Sequence, residues 1–474
     1  MKVFHRSFIV ILAMLSLQGC LPQLRTARTE TASLPASFNS SQDSSNTAKV
    51  KWKDYFNDPN LNALIDTALR NNQELNITLQ EIEISKNEVK ARSGEYLPFV
   101  GIRGGAGVEK AGRFTRNGAV EKNLEIEEGR RFPEPLPDYM IGTYASWELD
   151  VWRKLRTAKK AAVLRYLSSV EGKNFMVTNL IAEIANSYYE LTALDNQLDM
   201  IQRNIALQSN VLKITKQQME AAKVTQLAVN RFEAQLLHTQ NLQYAVKQQI
   251  TETENRINFL TGRYPQPVTR NSSAFNNMKL DSVSNGVPSQ LLENRTDIRR
   301  AELDLAAAKL DLKVAKANFY PSFRITAGAG LQAFHPKHLI NPESAILSLG
   351  GDVVAPLVNR NAIKADYYTA NAKQIQAVYN YERTVLNAYI EVSNQLSRIS
   401  NFSKSYEAKS REVDILTRSV AISNSLFNSA RADYMEVLLT QREAFESRID
   451  LIEMKMKQMN AKVNIYKALG GGWN

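Results

Sequence analysis

Leu291–Gly330 reads LLENRTDIRRAELDLAAAKLDLKVAKANFYPSFRITAGAG, and its hydrophobic period changes at Pro321. Before Pro321, apolar or small residues alternate intervals of three and four, the heptad spacing of a packed α-helix. After Pro321 they alternate with polar residues or glycine, which is typical of a two-faced β-strand. Proline separates the two because it lacks an N–H and disfavours helical geometry in the preceding residue. We therefore predict a helix that Asp297 caps, followed by an amphipathic strand.

This predicted helix carries two hydrophobic seams. The first seam consists of Ile298, Ala301, Leu305, Ala308, Leu312, Ala315 and Phe319. Leu303, Leu310 and Ala317 form a second stripe on a different face. Because each seam needs a neighbouring helix to cover it, two seams indicate a ring of helices rather than a simple pair.

The same unit occurs earlier in the chain. Leu75–Pro98 has the same length as Ile298–Pro321, and at that offset a Gly-Ala-Gly motif at 105–107 aligns with another at 328–330. The seam of the first copy is more polar than that of the second, but its residues occupy the same heptad positions. Self-similarity at a fixed offset indicates an internal duplication, so we predict two copies of a helix, two strands and a long helical hairpin.

Each copy contains two candidate strands that run out and back. The strand after Pro98 returns near Tyr139–Leu149 after a long polar loop, and the strand after Pro321 returns at Ala345–Val353. Strands of about ten residues cross a bilayer when tilted. A sheet in lipid must close, because its edge backbone groups would otherwise be unpaired. Four strands are too few for a barrel, since about eight make the smallest one, so the chain is predicted to oligomerise.

Each predicted pair of strands precedes a long helical hairpin. Arg153–Ala222 contains no proline and only one glycine, and heptads continue through it. At about 1.5 Å per residue this segment is about 100 Å long. A returning helix is predicted to end at Leu260 in the first copy and at Tyr466 in the second. The turns between the outgoing and returning helices, at 222–225 and 430–433, occupy matching positions in the two copies. A closed sheet joined to a ring of such helices would form a duct.

The N-terminus has the features of a bacterial lipoprotein leader. Basic residues precede an apolar run, Phe8–Leu17, which is about half as long as a spanning helix. The run ends at Leu17-Gln18-Gly19-Cys20, which resembles the bacterial lipobox. Since Cys20 is the one cysteine in the chain, no intrachain disulfide is possible, and we expect Cys20 to carry lipid.

The 474-residue chain has a formal net charge of +11, with acidic and basic residues interleaved. No basic stripe with interleaved aromatic residues is present, so the charge indicates a solvated surface and not a nucleic-acid partner. The sequence contains no phosphate-binding glycine loop, GxSxG or His-Glu-x-x-His motif. We therefore expect no enzymatic activity and no resident cofactor or metal.

Four motifs on this framework resemble the TolC-like outer-membrane efflux proteins, in particular their lipoprotein (NodT-type) branch. They are VPSQLL at 287–292, RTDI at 295–298, FYPS at 319–322 and ALGGGW at 468–473. The resemblance implies a mainly α protein that, as a homotrimer, forms a twelve-stranded outer-membrane β-barrel continuous with a periplasmic α-helical barrel. The implied function is the exit duct of a tripartite efflux pump. Such a duct exports small molecules such as drugs or metal ions, together with an inner-membrane pump and a periplasmic adaptor.

The resemblance also implies functional residues at the two turns between the long helices. The adaptor would contact Ala222, Lys223, Val224, Thr225, Ala430, Arg431 and Ala432. The family's constricting carboxylates match the stretch that contains Glu436, with Asp433 as second candidate; three copies would form a ring that concentrates cations. A solvated Glu436 and an Asp433 that only caps its helix are the simpler alternative. Relatives usually have glycine where this chain has Ala222 and Ala430, so we expect less sharp turns.

Other candidate sites have simpler explanations. We interpret His335 and His338 as solvated residues of an extracellular loop and not as a metal pair. Met456 and Met459 lie on the heptad seam, so core packing explains them better than a soft-metal site. Two other functions share part of the pattern. A type I protein-secretion duct would have the same fold, and a structural coiled-coil lipoprotein would explain the heptads but not the paired amphipathic strands.

The predicted segments follow from these boundaries. They are a signal peptide (1–19), a lipid-anchored linker (20–56), first-repeat helices (57–97), a first β-hairpin with a long extracellular loop (98–152), a first long helical hairpin (153–261), an equatorial insert (262–290), second-repeat helices (291–320), a second β-hairpin (321–357), a second long helical hairpin (358–469) and a C-terminal tail (470–474). We expect the protein in the outer membrane, anchored in its lipid at Cys20, with the helices in the periplasm.

Overall fold

The computed structural model describes residues 28–31, 34–38, 47–278, 286–358, 360–429 and 431–473. This part of the chain is mainly helical and contains one four-stranded and one two-stranded sheet. It divides into two compact units. The sheet unit comprises Met1–Thr29, Glu83–Leu167 and Leu303–Val378, and the helical unit comprises Glu30–Ile82, Ser168–Glu302 and Tyr379–Asn474.

The elements keep the predicted order. The α-helices of the described residues are α1 (Trp52–Tyr55), α2 (Pro59–Asn71), α3 (Gln73–Glu95), α4 (Arg116–Asn123), α5 (Lys154–Glu220), α6 (Gln226–Leu260), α7 (Gln290–Asn294), α8 (Thr296–Ala317), α9 (Asn361–Asn428) and α10 (Tyr434–Ala468). The strands are β1 (Phe99–Glu109), β2 (Glu125–Glu127), β3 (Arg130–Arg131), β4 (Leu136–Leu149), β5 (Ser322–Ala333) and β6 (Ala345–Val354). None of the described helices combines the length and the hydropathy needed to cross a membrane.

Side-chain caps and acidic first turns set the helix starts. Asp58 caps α2, because its Oδ1 accepts hydrogen bonds from two backbone N–H groups of the first turn at 2.9 and 3.4 Å. The expected cap at Asp297 is wrong, since α8 already begins at Thr296. Asp297 instead pairs with Arg295 across 2.7 Å, and its charge in the first turn complements the helix dipole.

The four-stranded sheet is antiparallel, in the order β1–β4–β5–β6, and its register collects most of the apolar side chains on one face. That face carries Val100, Ile102, Ala106, Val108, Ile141, Ala145, Trp147, Leu149, Phe323, Ile325, Ala327, Ala329, Leu331, Leu347, Leu349 and Val353. The other face carries glycines and most of the polar residues, among them Arg103, Asp138, Ser146, Glu148, Arg324, Thr326, Gln332, Ser348 and Asp352. The alternation predicted after each proline is therefore confirmed.

Both edges of this sheet are open within the described structure. β1 pairs only with β4, and β6 pairs only with β5. The apolar face is uncovered as well, because Ile102, Leu347 and Leu349 are 80%, 86% and 82% exposed. Unpaired edges beside an exposed apolar face favour association in water. The sheet is therefore suited to a lipid environment and to pairing with further strands.

The connection between β1 and β4 is more ordered than the predicted polar loop, since it contains α4 and the hairpin of β2 and β3. Thr115 caps α4, because its hydroxyl accepts a hydrogen bond from the N–H of Gly118 at 3.2 Å. Gly129 makes the hairpin turn with a φ of +80°, which glycine adopts without steric cost. Local capping and turn chemistry thus order a segment that carries few apolar residues.

An aromatic cluster ties the N-terminal segment to α10 within the helical unit. Tyr466 stacks on Tyr55 with 4.2 Å between ring centroids, and its hydroxyl donates to the carbonyl oxygen of Val50 at 2.6 Å. Earlier in the segment, Phe38 is 1% exposed and stacks on Tyr389 of α9. The described part of the predicted linker is therefore packed on helices and is not an extended spacer.

A buried arginine holds the C-terminal end of α10 against the start of α8. Arg295 is 7% exposed and pairs with Asp297 and Glu391. It also donates to the carbonyl oxygen of Ala468 at 2.8 Å. Burial opposes the charge of Arg295, but hydrogen bonds and opposite charges from both carboxylates outweigh burial and raise its pKa. Removing one partner would leave a buried charge uncompensated, so the junction depends on all of these groups.

Gly470→Ala is expected to destabilise the protein by about 2 kcal/mol. Gly470 has a φ of +91°, and an added Cβ would lie 2.7 Å from the carbonyl oxygen of Asn294. The substitution therefore combines backbone strain with a clash against backbone. The unfolding midpoint of the purified protein measures the effect.

Gly94→Ala is the matched control for this substitution. A Cβ at Gly94 meets nothing within 4 Å, and alanine is favoured over glycine in α3. We expect an unchanged or higher midpoint for the control. Equal midpoints for the two variants would contradict the role assigned to Gly470.

Candidate functional site

The candidate site consists of the two turns that join the long helices of the helical unit. The first turn connects α5 to α6, and the second connects α9 to α10. The helices that follow the turns are 35 residues long in both cases. Cys20 and Ala430, two of the predicted site residues, lie outside the described residues.

The first turn is a helix C-terminus of the Schellman type. The N–H of Lys223 donates to the carbonyl oxygen of Gln218 at 2.9 Å, and the N–H of Ala222 donates to that of Met219 at 2.9 Å. This motif requires a left-handed residue before its last donor, and Ala222 has a φ of +59°. The expectation of a less sharp turn at Ala222 is therefore wrong. Alanine adopts the conformation that glycine usually supplies, at a cost of about 1 kcal/mol.

The second turn closes in a similar way. The N–H of Arg431 donates to the carbonyl oxygen of Leu426 at 2.9 Å, which is the long bond of the same motif. Asp433 then takes the N-cap position of α10, but its carboxylate makes no capping hydrogen bond. Its carbonyl oxygen accepts from the N–H of Glu436 at 3.1 Å. The interpretation of Asp433 as a simple side-chain cap is thus not supported by the geometry.

An apolar cluster brings the two turns together. Leu212, Val229 and Phe232 are buried, and Tyr434 and Leu438 of α10 pack against them. Val229 and Val437, which the sequence aligns, are 2% and 4% exposed. Burial of side chains from three helices therefore fixes the position of one turn relative to the other.

Beside the two turns, the polar contacts between these helices are exposed. Lys216 and Glu233 are 3.9 Å apart, with half of each side chain in solvent. Arg231 of α6 lies over α10, with its Nη1 3.1 Å from the sulfur of Met435. Exposed ion pairs contribute about 0–1 kcal/mol, so the apolar cluster holds the turns and the charges do not.

The predicted gate carboxylates face solvent. Asp433 and Glu436 are both exposed, and neither makes an ion pair with another described residue. Lys223 and Arg431 are exposed on the same two turns, while Val224 and Ala432 are half-buried. Each turn therefore presents a basic residue, and the second also presents two free acidic ones. Such groups can act on passing ions or on a partner surface.

The remaining candidates behave as structural residues. The ring of His335 accepts a hydrogen bond from the N–H of Lys337, and no group of three or more possible metal ligands occurs among the described residues. Met459 is buried in the main core of the helical unit, with Met456 packed against it. Core packing of the seam methionines is therefore confirmed.

Sequence reasoning missed Phe232 and Tyr434, which complete the cluster under the turns. Phe232 lies three positions after Val229 in α6, and Tyr434 lies three positions before Val437 in α10. This helical spacing from a matched pair of valines was the available signal.

Ala222→Gly is expected to stabilise the protein by about 1 kcal/mol, because glycine adopts the left-handed conformation without a Cβ penalty. The unfolding midpoint in denaturant gives the change in free energy. Ala221→Gly is the control, since a positive φ is recorded at Ala222 and not at the preceding residue. A gain in the control, or a loss in Ala222→Gly, would contradict the strain assigned to this turn.

Comparison with known proteins places these features in a family. The model of the outer membrane efflux protein family matches residues 64–263 and 287–471. The solvent efflux pump outer membrane protein SrpC of Pseudomonas putida is 27% identical over 90% of this chain and 88% of its own. The probable outer membrane lipoprotein SilC of Salmonella typhimurium is 23% identical over 100% and 99%.

The same fold occurs in solved channels. The open-state MtrE outer membrane channel of Neisseria gonorrhoeae superposes with a TM-score of 0.82 at 21% identity, over 95% of this chain and 98% of that one. The family match includes α5 to α6 and α9 to α10 with both turns. On this evidence, the chain belongs to the outer membrane efflux protein family.

Proposed function

We propose that this protein is the outer-membrane exit duct of a tripartite efflux pump. One observation carries the proposal: a four-stranded sheet has an exposed apolar face, a largely polar face and two open edges. In lipid the open edges must be paired, because no water is available to their N–H and C=O groups. The chain therefore needs further copies of itself, and a homotrimer supplies twelve strands.

The strand count makes ring closure possible. With four antiparallel strands in the order β1–β4–β5–β6, the edge strands β1 and β6 run in opposite directions. The β6 edge of one copy can therefore pair antiparallel with the β1 edge of the next. Repetition of this head-to-tail contact gives a closed ring. The apolar face would meet lipid, the polar face would line the pore, and the helices would form the periplasmic barrel.

Small molecules such as drugs or metal ions are the proposed cargo. SrpC is named for solvent efflux, and the related CusC of Escherichia coli, 24% identical over 93% of both chains, is named for cation efflux. We infer that a periplasmic adaptor and an inner-membrane pump complete the assembly. A type I protein-secretion duct is the alternative, and an ABC exporter encoded beside this gene would favour it.

The two turns are the proposed docking surface and gate. The adaptor would contact residues 222–225 and 430–432, because these residues lie between the long helices in the chain. Glu436, with Asp433 as second carboxylate, would form the constriction. Three copies of each exposed carboxylate around one axis would attract cations and repel anions.

Glu436→Gln is expected to reduce cation selectivity, because each trimer loses three negative charges at the constriction. The measurement is single-channel conductance of the purified protein in a planar bilayer, with the reversal potential in a salt gradient. Asp433→Asn should have a smaller effect in the same direction. We expect discrete steps for the wild type, and larger or less selective steps for Glu436→Gln.

Glu443→Gln is the matched control, since Glu443 is exposed and lies one heptad after Glu436 on α10. Selectivity that falls equally in both variants would remove Glu436 as the gate. Folded protein that never forms channels would contradict the duct itself.

Lipid attachment at Cys20 is proposed from the Leu-Gln-Gly-Cys motif. The name of SilC as a probable outer membrane lipoprotein supports it. Cys20→Ser is expected to abolish incorporation of labelled palmitate by growing cells, because the substitution removes the acceptor sulfur. Label retained in the Ser variant would contradict acylation at this residue, and channel activity of the purified variant serves as the control for folding.

A further inference from the structure

The net charge of the chain is concentrated in one unit. Over the three segments of the helical unit, 30–82, 168–302 and 379–474, the formal charges are −3, +1 and +2, which cancel. The net charge of +11 therefore lies outside the helical unit: segments 83–167 and 303–378 of the sheet unit carry +4 and +3, and residues 1–29, which include the predicted signal peptide, carry the other +4. Within that unit, residues 150–167 alone carry +5, from Arg153, Lys154, Arg156, Lys159, Lys160 and Arg165 against Asp150.

The start of α5 is an unfavourable place for these cations. A helix N-terminus already carries a partial positive charge, so each cation in the first turn, which here holds Lys154 and Arg156, costs about 0.3–1 kcal/mol unless it is compensated. By contrast, Arg92 in the last turn of α3 and Lys316 in the last turn of α8 complement the dipoles of their helices. The dipole therefore explains Arg92 and Lys316, but not the cations in the first turn of α5.

Carboxylates within the sheet unit do not compensate them fully. Asp150 accepts hydrogen bonds from the N–H groups of Leu155 and Arg156 at 3.0 and 2.9 Å, so it is used as the cap of α5. Glu148 pairs with Lys154 at 3.0 Å. Asp311 pairs with Arg165. Among the described residues, Arg156 and Lys159 make no ion pair.

Arg156 and Lys159 lie around one aromatic ring. The guanidinium carbon of Arg156 is 5.6 Å from the ring centroid of Tyr96, and the ammonium nitrogen of Lys159 is 5.5 Å from it. Lys159 also donates to the hydroxyl of Tyr96 at 3.3 Å. Cation–π contacts at such distances hold a cation in place without neutralising it. The pair therefore keeps its charge in a fixed position.

This cluster lies at the boundary of the apolar sheet face. Trp147 belongs to that face, and its indole N–H donates to the carbonyl oxygen of Tyr96 at 3.0 Å. Nearby, Trp152 stacks on Tyr320 at 4.8 Å and donates to the carbonyl oxygen of Pro321 at 2.7 Å. Indole and phenol rings at the end of an apolar band mark the level of the lipid headgroups. Cations just beyond that level are within reach of headgroup phosphates.

We propose that Arg156 and Lys159, held on Tyr96, bind the phosphate of acidic phospholipid headgroups where the apolar sheet face ends. The proposal rests on the proposed function, because it takes the sheet to be embedded in a bilayer. An acidic headgroup supplies the negative charge that the start of α5 lacks.

The test counts lipids bound to the purified full-length protein in non-ionic detergent. Dioleoyl phosphatidylglycerol and dioleoyl phosphatidylethanolamine are titrated separately, and native mass spectrometry gives the bound number. We expect the wild type to prefer phosphatidylglycerol. Each basic residue near a membrane surface contributes about fivefold, so Arg156→Gln with Lys159→Gln should weaken this binding about 25-fold. Raised salt should weaken wild-type binding in the same direction.

Lys247→Gln is the matched control. Lys247 lies 5.9 Å over the ring of Tyr244 in the helical unit, so it has the same chemistry without an apolar sheet face beside it. Its substitution should leave phosphatidylglycerol binding unchanged. Equal binding of the two lipids, or an equal loss in the control, would overturn the proposed headgroup site.

Single-channel recording separates this inference from the proposed function. A double variant that conducts but loses its phosphatidylglycerol preference supports the headgroup site. Conducting protein whose lipid preference survives the double substitution overturns the headgroup site and leaves the duct intact. Wild-type protein that is folded but never conducts overturns the duct, and with it the membrane placement on which the headgroup site rests.

Discussion

Every backbone N–H and C=O group of the amphipathic sheet needs a hydrogen-bond partner. The rest of the structure depends on this requirement. The four-stranded sheet has no hydrophobic core of its own. One of its faces is apolar and uncovered, and the other is largely polar. Their outer edges remain open on β1 and β6. Lipid can cover the apolar face, but it offers no hydrogen bonds to the edges. Self-association through these two edges is the arrangement that we propose for the sheet in lipid.

The helical unit solves a different problem, which is to hold long helices against one another. Small apolar clusters recur along it, such as the one of Leu212, Val229 and Phe232 beneath the turns. Polar contacts hold the Arg295 junction, where two carboxylates and a carbonyl oxygen surround a buried guanidinium. Packing thus positions the turns, while the buried arginine fixes the return of the chain at α8 and α10.

The formal net charge is distributed unequally between the two units of this outer membrane efflux protein family member. The helical unit has a net formal charge of zero, and its exposed carboxylates without an ion pair include Asp433 and Glu436. The sheet unit carries the excess of cations, concentrated at the start of α5. A neutral helical unit limits non-specific attraction of solutes, whereas cations beside an apolar face suit a negatively charged membrane surface.

The sequence by itself determined the elements, because each depends on local chemistry. Pro321 ends a helix, alternation after it makes a two-faced strand, and heptads predict the long helices. Only the tertiary structure decided the cluster of Phe232 and Tyr434 and the packing of Phe38 on Tyr389. The misplaced cap at Asp297 has the same cause, since its partner Arg295 is fixed by distant Glu391. The hydrophobic period indicates which face of a helix or strand is apolar. Which other element packs on that face depends on contacts between residues far apart in the chain.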